Sequence, residues 1–168
     1  MQRVAVVGSG GAGKSTFARA LGRITRLPVI HLDENYWSPG WVETPRDQWA
    51  TIQGALVAQE NWIIEGHYGN TLDLRFARAD TVIVLALPRR VCIYRVLKRV
   101  ALNWHRDTQA RGCPEHFDLA FLRWLWDFPH NGRPALVAAL QRFEGHLEVV
   151  YLTTSASARR YLAELAGH

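Results

Sequence analysis

The sequence predicts an α/β fold in three layers, a parallel sheet with helices on both faces. Short apolar runs at residues 4–7, 29–32, 62–64, 81–87 and 147–152 alternate with longer helical patterns at 14–26, 46–60, 89–102 and 156–166. That alternation requires right-handed crossovers, and these lay helices over a parallel sheet. Pro28, Pro45, Pro88 and Pro134 fall at element boundaries, where a missing N–H and a fixed φ interrupt regular structure. The 168 residues suffice for one domain with a real core, so 1–168 is read as a single unit. Residues 103–134 break the rhythm. They are rich in Trp, Arg and Pro, lack a strand signal, and read as a helical insertion over the ligand edge of the sheet.

The first run, Val4-Ala5-Val6-Val7, passes straight into Gly8-Ser9-Gly10-Gly11-Ala12-Gly13-Lys14-Ser15. This is a complete G-x-x-x-x-G-K-[ST] loop with a strand before it and a helix after it, the context the motif requires. Glycines let successive N–H groups point inward and cradle phosphate oxygens. Lys14 is expected to reach the β- and γ-phosphates and the Ser15 hydroxyl to hold Mg²⁺, with Thr16 completing the binding turn. The helix that follows turns its positive end to the same anion. ATP and Mg²⁺ are the cofactors expected.

Ligands of such sheets bind at the carboxyl ends of the strands, so the residues after each strand carry the chemistry. The second strand delivers Asp33-Glu34-Asn35-Tyr36-Trp37-Ser38-Pro39-Gly40-Trp41. Asp33 is placed to accept a proton from an acceptor hydroxyl or to hold Mg²⁺ through water; a turn or helix-cap aspartate is the plainer alternative. Tyr36, Trp37 and Trp41 read as an aromatic wall for a substrate, or equally as packing under a long loop. The third strand ends in Glu65-Gly66-His67-Tyr68-Gly69. There Glu65 suits the metal's water shell and Gly66 lets a ligand approach the backbone. His67 is read as a titratable group or, in preference, as a hydrogen-bonded structural histidine.

Composition points to a compact soluble protein, with 48% apolar and 21% charged residues. No apolar stretch approaches the roughly 18 residues of a membrane span, and no cleavable signal peptide is expected. Cys92 and Cys113 make neither a disulfide framework nor a metal cluster, and a reducing cytoplasm fits best. The net charge of +5 suits anionic ligands, nucleotides or nucleic acid. Arg89, Arg90, Arg95, Lys98, Arg99, Arg106 and Arg111 crowd one central stretch, which a solvated helix face would also explain. The dense apolar segment from Phe117 to Phe128 is read as a packed helix face.

The glycine-rich loop, the Trp62-Ile63-Ile64-Glu65-Gly66 segment and the run from Ala79 to Pro88 together resemble the adenylate-kinase-like branch of P-loop kinases. The chain is still more similar to the small kinase-like topology modulation proteins of the FlaR type. The shared look is His31-Leu32-Asp33, Tyr36-Trp37, Gly40-Trp41, Glu65-Gly66-His67-Tyr68 and Leu87-Pro88-Arg89-Arg90 running on to Arg99. The resemblance implies a five-stranded parallel sheet in order 2-3-1-4-5 with a helical lid at 103–134. It also implies that Arg95 lies beside the nucleotide and that Arg99 reaches the transferring phosphoryl group. Arg106 and Arg111 are the nearest candidates for further lid arginines, and Arg123 is a third. The phenylalanine, proline and arginine by which adenylate kinases grip a monophosphate are replaced here by His67-Tyr68, leaving Arg75 as the nearest arginine for a substrate. The glycine triplet of shikimate kinases is missing too.

Two readings of function follow. One is an ATP- and Mg²⁺-dependent phosphotransferase acting on a nucleotide, nucleoside or other small acceptor. The other is a nucleotide-dependent regulatory or nucleic-acid-binding P-loop ATPase, as the topology modulation resemblance implies, although no nucleic-acid-binding motif supports it.

Overall fold

A computed structural model describes residues 1–167. The chain begins β1 (Arg3–Gly8), α1 (Lys14–Thr25), β2 (Val29–His31) and α2 (Leu32–Tyr36), then forms a ribbon of β3 (Trp37–Ser38) and β4 (Val42–Glu43). It continues with α3 (Arg46–Val57), β5 (Trp62–Glu65), a single 3₁₀ turn (Gly69–Thr71), α4 (Leu72–Phe76), β6 (Thr81–Leu85) and α5 (Arg89–Leu102). The last elements are α6 (Leu119–Asp127), α7 (Gly132–Arg142), β7 (Glu148–Leu152) and α8 (Ser155–Ala166).

Five strands pair in parallel in the order β2-β5-β1-β6-β7. Counted among the sheet strands alone, this is the expected 2-3-1-4-5 order. Because both faces are covered, the central strands are apolar without alternation. Val4 and Val6 of β1 point to one side, where they pack with Ile63, Ile83 and the Phe17, Ala18 and Leu21 face of α1. Ala5 and Val7 point to the other, against Ile64, Val82, Val84 and residues of α3, α4 and α7. The period of two in a strand makes the division.

Three sequence expectations change. Residues 103–117 are not helical. They form a loop closed by isolated bridges Trp104–Glu115 and Asp107–Pro114, and the helix begins only at Leu119, where the Asp118 carboxylate accepts from Phe121 N at 3.0 Å. Pro134 does not mark a boundary but sits in the first turn of α7, where its missing N–H has no intrahelical partner to lose. Leu32 opens α2 instead of closing β2, so Asp33 stands in the first turn of a short helix.

The apolar helix α6 is partly core and partly surface. Leu125 is fully buried against Val96 and Val100 of α5, with Phe121 and Leu122 beside it. Phe117, Leu119, Trp124 and Trp126 remain exposed, so the packed face is narrower than the sequence predicts. Among the described residues no helix is long and apolar enough to cross a membrane.

Candidate active site

The phosphate loop takes its shape from glycine. Gly13 holds φ 94° at the N-cap of α1, a left-handed conformation that costs glycine little. The first turn of α1 has no side-chain cap and no acidic residue, so its orphan N–H groups are left for an anion. Lys14 Nζ folds back to donate to Ser9 O at 3.0 Å. Gly10 answers a different demand. A Cβ there would meet Phe121 at 2.8 Å and Leu125 at 2.9 Å, because α6 packs directly on the loop. Gly8, Ser9, Gly11 and Ala12 complete the loop, and Ser15 and Thr16 open α1 beside the same cleft.

Two carboxylates stand below it. Asp33 accepts from the Tyr68 hydroxyl at 2.6 Å. Burial pushes the Asp33 carboxyl above its ordinary range, while the Tyr68 hydrogen bond and Lys14 oppose the rise. Glu65 is 2% exposed and pairs with His31 Nδ1 at 2.7 Å. Burial alone would raise Glu65, but His31, Lys14 and a hydrogen bond from Ser15 outweigh it and hold the carboxyl below its usual range. Lys14, Ser15, Asp33 and Glu65 are therefore one electrostatic unit. Among the described residues no cluster of three or more His, Cys, Asp or Glu side chains could hold a metal. The donor set of Ser15 with two carboxylates fits Mg²⁺ shared with substrate phosphates and water, not a metal held by protein alone.

The segment after β5 corrects a further expectation. Arg75 does not face a substrate. It is fully buried, donating from Nη1 to Gly66 O at 2.7 Å and from Nη2 to His67 O at 2.5 Å and Tyr68 O at 3.1 Å. The physical reason is local. Tyr68 adopts φ 36°, a conformation unusual for a non-glycine residue, and three carbonyls turned inward need a strong donor. His67 is buried against Phe128, with ring centroids 4.8 Å apart, and lines the cleft. Burial and the nearby Lys14 and Arg75 lower its pKa to about 3, so it is neutral.

The cleft holds about 2330 Å³ and runs from the phosphate loop to the ribbon. Tyr36, Trp37 and Trp41 line it, joined by Trp49 and Tyr68. Tyr36 also packs edge-on to Trp37, at 4.9 Å and 85°, so these rings serve both readings made of them. Arg95 and Arg99 line the cleft as well. Arg95 bridges the phosphate loop to the start of α8, donating to Ala12 O at 3.2 Å and Ser155 Oγ at 2.7 Å.

Arg99 Nε lies 2.8 Å from Glu115 Oε1, an ion pair in which the N–H does not point along the line to the oxygen. Arg106 and Arg111 are exposed and lie outside the cleft. Their loop turns back on itself: Glu115 N donates to Arg106 O, and Gly112 N to the Asp107 carboxylate. Arg123 points to Asp127 on the surface.

Sequence reading missed Glu115, which is 2% exposed and accepts from Thr108 as well as facing Arg99. It also missed the joint between the ribbon and the insertion. Gly40 N donates to Gly112 O at 2.7 Å, and Trp41 Nε1 to Pro114 O at 3.0 Å. Buried Cys113 belongs to that joint, its Sγ 3.3 Å from Ser38 O. No short motif announces pairs separated by some seventy residues.

No protein-family model matches the chain, and no curated protein matches it. Solved structures do. Shikimate kinase from Acinetobacter baumannii, in complex with shikimate, is similar with a TM-score of 0.65 at 14% identity, over 98% of this chain and 90% of that one. Shikimate kinase from Bacteroides thetaiotaomicron gives 0.55 at 15%, over 99% and 96%. A candidate kinase from Chloroflexus aurantiacus J-10-fl gives 0.53 at 16%, over 100% and 99%. At these identities the likeness establishes the fold: this is a P-loop kinase fold.

Proposed function

We propose that the protein is a small ATP- and Mg²⁺-dependent phosphotransferase with a small hydroxyl-bearing acceptor. One observation carries the reading. Asp33 is a buried carboxylate held by Tyr68 and facing Lys14, at the carboxyl edge of the sheet where a phosphate loop also ends. A raised pKa makes it a better base than an exposed aspartate. The acceptor oxygen attacks the γ-phosphorus, the bond to the β–γ bridging oxygen breaks, ADP departs, and the hydroxyl proton passes to Asp33.

Lys14 and Arg99 offset charge on the transferring group, and Arg95 with Ser155 borders the nucleotide. Mg²⁺, bound through Ser15 and the water shell of Glu65 and Asp33, would neutralise phosphate charge. Residues 103–134 act as the lid, carried on α5 by Leu125. Structural likeness to enzymes named as shikimate kinases supports a small-molecule acceptor. Shikimate itself is not implied, because Gly66-His67-Tyr68 replaces the glycine triplet.

The nucleic-acid alternative draws on the basic cluster, yet three of its seven members are engaged within the chain. Arg89 stacks on Trp126 at 3.9 Å, Arg95 holds Ser155, and Arg99 faces Glu115. The test is ATP turnover against a panel of nucleosides, nucleotides, sugars and small acids, with Asp33→Asn as the control. Turnover above the water rate should appear with some acceptor, and Asp33→Asn should lower kcat by about 10²-fold or more while ATP affinity stays. A panel that never exceeds the water rate, or an Asp33→Asn protein with native turnover, overturns the reading.

A further inference from the structure

The two ends of the cleft differ in charge. Near the nucleotide the lining carries Lys14, Arg95 and Arg159, as a polyphosphate requires. The far half is formed by residues 33–71 and 108–118. There Glu115 is matched by Arg99, and the remaining charged lining groups are Asp33, Glu43, Asp47 and Asp118 against Arg46. Asp118 caps α6, Glu43 bonds the Tyr36 hydroxyl, and both line the chamber. An acceptor carrying a carboxylate or phosphate would meet this field with Arg46, with Arg19 at the β2 edge beside His31, and with an Arg99 already facing Glu115. Arg75, the arginine best placed in sequence to grip an anion, is committed to three carbonyls.

The walls of this half are aromatic and set nearly at right angles. Trp37 and Trp41 have centroids 5.4 Å apart at 74°, and His116 continues the series from Trp41 at 5.6 Å and 68°. Packed edge to face on one another, these rings all line the cleft, so a guest there meets aromatic surface. With Glu43 paired across the ribbon from Trp37, they make the chemistry that holds an ammonium group. Where the halves meet, His67 Nδ1 is buried and has no partner among the described residues. It is a neutral group suited to an acceptor hydroxyl.

We infer that the acceptor is a hydroxyl compound bearing a protonated or quaternary amine, seated on Trp37 and Trp41 near Glu43 and Asp47, with its hydroxyl at Asp33. This rests on the phosphotransferase reading for the hydroxyl. The ammonium preference stands on the chamber alone.

The test separates the two. The full chain, loaded with a non-hydrolysable ATP analogue and Mg²⁺, is titrated with choline, with its uncharged carbon isostere dimethylbutanol, and with shikimate as an anion, and tryptophan fluorescence reports binding. Choline should bind about tenfold or more tightly than dimethylbutanol, and shikimate more weakly than either. Glu43→Gln combined with Asp47→Asn should erase that preference and leave ATP-analogue affinity unchanged. Equal binding of dimethylbutanol, tighter binding of shikimate, no binding of choline, or an undiminished preference in the double variant overturns the inference. Transfer of labelled phosphate is scored separately on a panel of amino alcohols and aminosugars. Selective ammonium binding with no transfer to any hydroxyl would defeat the phosphotransferase reading and leave the chamber's preference standing.

Discussion

The Tyr68 hydroxyl donates to Asp33 Oδ1 across 2.6 Å, tying the segment after β5 to the first turn of α2. Burial raises the Asp33 pKa and this bond lowers it, so the bond keeps a desolvated carboxylate ionised. Tyr68→Phe keeps the ring and removes the donor. The Asp33 pKa should then rise further, because the charged form loses a hydrogen bond. In a profile of kcat/KM against pH the acid limb should move upward with it. An unmoved limb would mean that ionisation of Asp33 does not govern turnover.

Arg75 gives the second prediction. Arg75→Met leaves the carbonyls of Gly66, His67 and Tyr68 without their donor in a buried site. The loss of stability should be about 3 kcal/mol or more, seen as a lower denaturation midpoint. A substrate-gripping arginine would behave in the opposite way, raising KM and leaving the midpoint alone.

Histidines set opposing pH slopes on stability. The His31 pKa is raised above its ordinary 6.5, so its contribution is full below that value and is lost as pH rises through the folded pKa. Glu65 is lowered below its ordinary 4.5, so its contribution is present above that value and is lost as pH falls through the folded pKa. Their pair is strongest between the two ordinary values. His67, at about 3, works against acid: between 6.5 and about 3 the unfolded chain binds a proton that the folded chain refuses, and stability falls as pH drops. In denaturant melts His67→Asn should flatten the loss of stability between about pH 6.5 and pH 4. His31→Asn should cost more at about pH 5.5 than at about pH 8. An unchanged acid slope in His67→Asn would show that other groups produce it.

Glu115 holds the loop before α6 from inside, facing Arg99 at 2.8 Å, accepting from Thr108 and pairing its main chain with His105 and Arg106. Glu115→Ala removes the side-chain anchor and leaves Arg99 unmatched. Amide exchange across residues 104–116 should quicken by about tenfold or more, while exchange in the central sheet stays native. Native exchange in the variant would transfer the anchoring to the Trp41–Pro114 bond.

The sheet strands are legible because each contains a short apolar run, and the phosphate loop because its chemistry is contiguous. Other features had no local signature. The ribbon of β3 and β4 has two residues per strand, too few for a period to register. Helix α7 carries Pro134 in its first turn, where proline is compatible with a helix although it reads as a stop. Arg75 looks the same in sequence whether it turns inward or outward, and only the carbonyls around it decide.

The sequence by itself carries the whole of the proposed donor half of the site. Eight consecutive residues and the helix behind them form a phosphate-loop motif, whose backbone N–H groups and one lysine are all neighbours along the chain. Tertiary structure alone decided the proposed acceptor half. Asp33, Glu43, Asp47, Tyr68 and Glu115 come from α2, β4, α3, the turn after β5 and the insertion, and their burial, pairing and net charge exist only once those segments meet. Electrostatics depends on distance and desolvation, and neither is written in the order of the residues.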